Sequence, residues 1–179
     1  MEEIYEEIIP LLENPSCEVF CADETRIMFQ SLIRRAWLKK GEKTVIKVEK
    51  KDQHQNYLGF LNQRTFRCHV LPIVWGRAPE IIRATTQFLK LYPDKRIVII
   101  WDNATHHKGK LFQKALSHGK PLERVHLITL PPYAPDKNPI EHVWEVTKER
   151  ISNNQENDFE ITKRKFMQLT NNQIFPYQI

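Results

Sequence analysis

The sequence predicts an α/β fold, a mixed sheet flanked by helices, on three observations. Short apolar runs rich in β-branched and aromatic residues recur between residues 18 and 74; strand and helix patterns then alternate to residue 151; and no internal repeat or low-complexity linker interrupts the 179 residues. Antiparallel neighbours can be joined by short turns, whereas strand-helix-strand units need crossovers, so both kinds of pairing are expected in one sheet.

Residues 1–16 form a short acidic helical lead-in, with Ile4, Ile8, Leu11 and Leu12 at helical spacing. Pro10 is expected to limit that helix and Asn14-Pro15 to end it. Strands follow over about 18–23, 44–49, 57–62 and 68–74. A helix over 79–92 has Ile81, Thr85, Phe88 and Leu89 on one face. Next come a strand at 96–101, a helix at 108–117 stopped by Gly119 and Pro121, and a strand at 125–130. The helix at 139–151 buries Ile140, Val143, Trp144, Thr147 and Ile151 and turns Lys148 and Arg150 away. Residues 157–160 start a final helix through Leu169, followed by an irregular tail. The expected division is lead-in 1–16, α/β body 17–155, and C-terminal helix and tail 156–179.

Hydrophobic residues make up 41% of the chain and charged residues 27%, enough to build one sizeable core and to exclude disorder. No run of about 18 apolar residues suggests a membrane span. The first residues are acidic where an export signal is basic, so the cytoplasm is the expected location. Cys17, Cys21 and Cys68 are odd in number and lack paired zinc-ligand spacing; they read as reduced core residues rather than a zinc site with His69.

The formal net charge is +5, but the first 13 residues hold five acids and no base, leaving 27 basic against 17 acidic residues in the rest. A basic body attracts a phosphate polymer, although surface lysines also serve solubility. The cations cluster at Lys39, Lys40, Lys43, Lys47, Lys50 and Lys51, and again at His106, His107, Lys108, Lys110 and Lys114. Trp37, Tyr57 and Tyr133 are candidates to stack on an unpaired base, or core residues.

Three acids stand where element ends could bring them together: Asp23 after the first apolar run, Asp102 after IVIIW, and Glu141 at the start of the helix that follows a proline-rich loop. Convergent carboxylates suit hard divalent cations, and two such ions can clamp the attacking and leaving oxygens of a phosphodiester. Each acid has a local alternative. Asp102 and Asn103 also suit a helix cap, and Asn138-Pro139-Ile140-Glu141 also fits a capping box.

The segments Cys21-Ala22-Asp23-Glu24, RAWLKKG (35–41), IVIIWDNATHH (97–107) and LPPYAPDKNPIEHVW (130–144) occur in order across most of the chain. Together they resemble the catalytic domain of DDE-type transposases, the Tc/mariner and related bacterial insertion-sequence superfamily of endonucleases. Lys137 departs from the pattern, where an apolar residue is usual. The resemblance implies a ribonuclease H-like sheet whose first and fourth strands are neighbours, bringing Asp23 beside Asp102 with Glu141 approaching from a helix.

By the same resemblance Asp23, Asp102 and Glu141 are the catalytic, metal-binding acids, holding two Mg²⁺ ions for which Mn²⁺ can substitute. The implied activity is metal-dependent DNA cleavage and strand transfer in transposition. Implied partners are transposon ends, target DNA and a second copy of the chain in a synaptic complex, in a bacterial cytoplasm or nucleoid. Residues 1–16 are too short for the family's amino-terminal recognition domain, so a separately encoded helix-turn-helix domain is expected. Lys39, Lys40, His106, His107, Lys108, Lys110, His142 and Lys148 are the candidate DNA contacts. Two alternatives stay open: a ribonuclease H-like nuclease that only hydrolyses, and a non-catalytic DNA-binding remnant of a transposase.

Overall fold

The computed structural model describes residues 2–29, 37–41, 43, 45, 52–102, 109–131, 138–152 and 156–179. The elements run α1 (Glu2–Glu13), β1 (Cys17–Met28), β2 (His54–Asn62), β3 (Cys68–Ile73), α2 (Ala78–Leu89), β4 (Arg96–Trp101), α3 (Lys110–Ala115), β5 (Val125–Thr129), α4 (Ile140–Arg150) and α5 (Phe159–Asn171). The strand expected over 44–49 lies, apart from Val45, outside the described residues.

The sheet has the order β3-β2-β1-β4-β5. Strand β1 pairs antiparallel with β2 and parallel with β4, and β4 pairs parallel with β5. The mixed sheet and the adjacency of the first and fourth strands are as expected. Strand β1 runs twelve residues, about twice the predicted length, because it is paired on both sides: Cys17–Cys21 with β4 and Phe20–Met28 with β2.

One face of the sheet presents Phe20, Ala22, Leu58, Phe60, Ile97, Ile99 and Trp101 to Ile81, Ala84, Phe88 and Leu89 of α2 and Phe112 of α3. This is the period-two alternation of a buried strand meeting the period-3.6 stripe of an amphipathic helix. On the other face, Val19, Cys21, Val98, Ile100 and Ile128 lie under Ile8 of α1. The half nearer β2 and β3 lies under Ile140, Val143 and Trp144 of α4 and Phe159 and Phe166 of α5.

Three local expectations change. Pro10 does not limit α1, which continues to Glu13; Pro10 is solvent-exposed, so water can take the carbonyl that loses its partner, and Leu11 and Leu12 still pack on the sheet. Helix α2 ends at Leu89 rather than at Tyr92, since Pro93 disfavours helical backbone in the residue before it. The cap of α5 is Asp158, whose carboxylate accepts from the Glu160 amide at 3.0 Å. Among the described residues no helix is long and apolar enough to cross a membrane.

Candidate active site

The register of the parallel pair puts Cys21 opposite Ile100. Asp23 and Asp102 are each two residues further on, so both side chains emerge on the α4 face, where alternation has already directed Cys21 and Ile100. Asp23 was expected at a strand end but lies inside β1, paired across to Gly59 of β2. The strand that ends is β4, so Asp23 stands just past its shorter neighbour, on a segment held by β2 alone.

Helix α4 brings the third acid. Its first turn is fixed by Asn138, which is buried and donates through Nδ2 to the Ala22 carbonyl at 3.0 Å, one residue before Asp23. The capping box is not formed: Pro139 occupies the cap, and the buried Asn138 Oδ1 has no hydrogen-bond partner among the described residues. The Glu141 amide is taken instead by the Asn138 backbone carbonyl at 3.0 Å. Asn138 therefore ties the helix start to β1, and the Glu141 carboxyl faces the other acids.

Trp144, three residues on, donates from Nε1 to Asp23 Oδ2 at 2.9 Å in the interior. Its ring lies over Gly59, where an added Cβ would come within 2.6 Å of Cζ2 and closer still to Cη2. A glycine inside a strand is costly, and here it allows a close approach.

Asp23 is only 8% exposed, and its carboxyl is held well above the usual carboxylate range. Burial is the largest cause, followed by the charges of Glu141 and Glu24; the Trp144 hydrogen bond opposes them, and the Asp102 charge adds to them. Glu141 is also raised, first by desolvation of its carboxyl end even though the residue as a whole reaches solvent. Lys148 pulls it down, Asp102 pushes it up, and a hydrogen bond with Asp23 and the His142 charge lower it. Both carboxyls are thus raised first by burial, with Asp102 close enough to push each of them further up. Among the described residues, no three His, Cys, Asp or Glu side chains already enclose an ion-sized site, so the three acids share a field rather than a closed cage.

A family model described as DDE superfamily endonuclease matches residues 18–162. The chain belongs to that family. The DDE superfamily assignment covers both β1 and α4, and hence all three candidate acids. Among solved structures, the Mos1 transposase paired-end complex with the left transposon end has a TM-score of 0.69 at 13% identity, covering 97% of this chain and 53% of that one. The Mos1 strand transfer complex gives 0.63 at 13% identity, with coverage of 97% and 52%. The Mos1 mariner paired-end complex with Mg gives 0.66 at 14%, with coverage of 98% and 54%. At these identities the likeness establishes the ribonuclease H-like fold, and the chain spans about half the length of those transposase chains. No curated protein matches the chain.

Of the DNA contacts expected for this DDE family member, Lys148 lies close enough to bias Glu141, two helical turns along the same helix. His142 is exposed, with Nδ1 3.7 Å from Glu145 and its ring against Tyr177. Lys110 opens α3 on the surface, and Lys39 and Lys40 are exposed beside a fully exposed Trp37. His106, His107, Lys108 and Tyr133 lie outside the described residues. Tyr57 is no stacking platform: it is 2% exposed, 4.7 Å from the Phe166 ring, because its side of β2 faces α5. The three cysteines are free and buried, and His69 bonds the Tyr92 hydroxyl at 2.9 Å, as a core reading requires. The Asn138, Trp144 and Gly59 contacts were missed; the signal present was a glycine inside the apolar run Tyr57–Leu61.

Proposed function

We propose that this chain is the catalytic domain of a DNA transposase, cleaving transposon-end DNA and transferring the strand to target DNA, with Asp23, Asp102 and Glu141 as catalytic, metal-binding acids. The observation that carries it is that Asp23 and Asp102 leave neighbouring parallel strands on the face covered by α4, whose first turn carries Glu141 and is docked beside Asp23 through Asn138 and Trp144. Membership of an endonuclease family and likeness to structures named as transposase complexes with transposon ends support it.

The donor set suits a hard divalent cation. Its oxygens are crowded, partly desolvated and mutually repelling, which is the charge excess that Mg²⁺, or Mn²⁺ in its place, relieves; a Mos1 paired-end complex contains Mg. Asp23, Asp102 and Glu141 would hold a pair of such ions, which when bound lower the barrier to attack by an oxygen nucleophile and offset charge on the leaving oxygen. Asp23 supplies a carboxylate fixed by strand pairing and by Trp144. Glu141 stands at the solvent-facing rim, where a DNA strand can reach it. Lys148 beside it offers a cation to a backbone phosphate, and Lys39, Lys40, Lys110 and His142 extend that role over the surface.

We further propose that a separately encoded helix-turn-helix domain recognises the transposon ends and that cleavage takes place in a complex of two copies of the chain. The proposed location is the bacterial cytoplasm or nucleoid, and residues 17–155 are the proposed catalytic unit. The test is Mg²⁺- or Mn²⁺-dependent nicking and strand transfer on labelled DNA, beside Asp23→Ala, Asp102→Ala and Glu141→Ala. Activity lost in all three variants supports the assignment, nicking without joining favours a nuclease that only hydrolyses, and variants as active as the parent overturn it.

A further inference from the structure

We infer that Trp144, with Gly59 making room for it, is a positioning residue that holds one oxygen of Asp23 so that the carboxylate presents a fixed edge to the divalent-ion site. This inference rests on the proposed function and assigns a role to a residue outside the three acids.

Four observations carry it. The indole Nε1 donates to Asp23 Oδ2 at 2.9 Å, where both groups are buried. Indole N–H is donor only, so it can hold an Asp23 oxygen in place but cannot take up a proton from it. The residue directly across the sheet from Asp23 is Gly59, and the Trp144 ring fills the space a side chain there would need. The start of the same helix is pinned by Asn138 to Ala22, next to Asp23, so the α4 segment is fixed to β1 at two points less than two turns apart. A phenylalanine would fill most of the same volume against Phe166 and Gly59, so packing alone does not call for an indole. What the indole adds is the N–H. It restrains Asp23 against the repulsion of Glu141 and Asp102 and leaves the other carboxylate oxygen to face the ion.

The decisive comparison is Trp144→Phe against the parent, with Mn²⁺ binding to the full chain read directly by calorimetry or by electron paramagnetic resonance. Affinity is expected to fall about 10- to 100-fold, as for other partners that orient a metal ligand. In cleavage assays the half-saturating metal concentration should rise by a similar factor, with most of the rate recovered at excess metal. A purely structural role would leave metal affinity unchanged in a folded Phe variant, and that result overturns the inference.

A second measurement does not depend on that variant folding. In ¹⁵N-labelled parent the Trp144 indole resonance should move when Mg²⁺ is added, while that of the exposed Trp75 should not, and Asp23→Asn should abolish the response. A parent that binds Mg²⁺ without moving the Trp144 resonance overturns the positioning role alone. A parent that binds neither Mg²⁺ nor Mn²⁺ overturns both this inference and the function on which it rests.

Discussion

Across the sheet from each other, the α2–α3 face and the α4 face solve different problems. Under α2 and α3 the interior is aromatic and aliphatic, with Phe60 and Phe88 stacked at 4.0 Å and Phe20 edge-on to Phe88 at 4.8 Å. Under α4 the interior also holds a carboxyl, an amide with an unpaired oxygen, and an indole N–H turned onto the carboxyl. Burying such groups costs stability unless they are paired, whereas burying rings supplies it. The contrast suggests that one face provides the rigidity on which the other can keep a strained cluster of acids.

The largest effect expected is on the apolar face. Phe88→Ala removes a fully buried ring and should cost about 3–5 kcal/mol of stability, measured by urea unfolding. The same variant should keep parental cleavage per folded molecule; a folded variant with impaired chemistry would break the division between the faces. Asp102→Asn is the mirror case. It should fold with parental stability and lose metal-dependent cleavage by more than about 100-fold, the upper range for residues that only orient a ligand. A variant that still cleaves at the parental rate would remove Asp102 from the site.

Gly59→Ala sharpens the comparison at the boundary. The added methyl meets Trp144 and Ile140, so a loss of about 1–3 kcal/mol is expected in thermal or urea unfolding. The pH dependence is smaller and has a definite sign. Asp23 and Glu141 hold protons more tightly folded than unfolded, so their contribution to metal-free stability is full below their ordinary values of 3.8 and 4.5 and is lost as pH rises through the raised folded values. Unfolding in EDTA between about pH 4 and 8 should show the parent losing stability relative to Asp23→Asn. The smallest change belongs to Glu141→Gln, expected within about 0.5 kcal/mol of the parent because no capping box is formed. A loss near 1 kcal/mol, the usual cost of a cap, would restore the capping role.

How much of this was legible in the sequence varies with range. Helix faces were readable because burial of one stripe leaves a period in the chain: Ile81, Thr85, Phe88 and Leu89 are all buried in α2, as are Ile140, Val143, Trp144 and Thr147 in α4. The strand at 96–101 was read to the residue because Ile97–Trp101 is an unbroken apolar run between Arg96 and Asp102. The length of β1 was not, since its second half is set by pairing with β2 rather than by its own alternation. The capping-box alternative at Asn138 fails for a related reason. Its neighbours spell a capping box, but its Nδ2 donates to the Ala22 carbonyl, 116 residues away, and its Oδ1 accepts from no amide of the helix among the described residues.

The sequence by itself determined the order and type of the elements, the basic character of the body and the three acids with the motifs around them. These are properties of neighbouring residues, and short-range sterics, periodicity and charge encode them. Tertiary structure alone decided how β1 is paired on each side, that α4 docks Glu141 near Asp23, and that an indole reaches Asp23 across a glycine. Those outcomes depend on strand register and helix docking across 79 to 121 positions, where a shift of one residue would turn Asp23 to the opposite face.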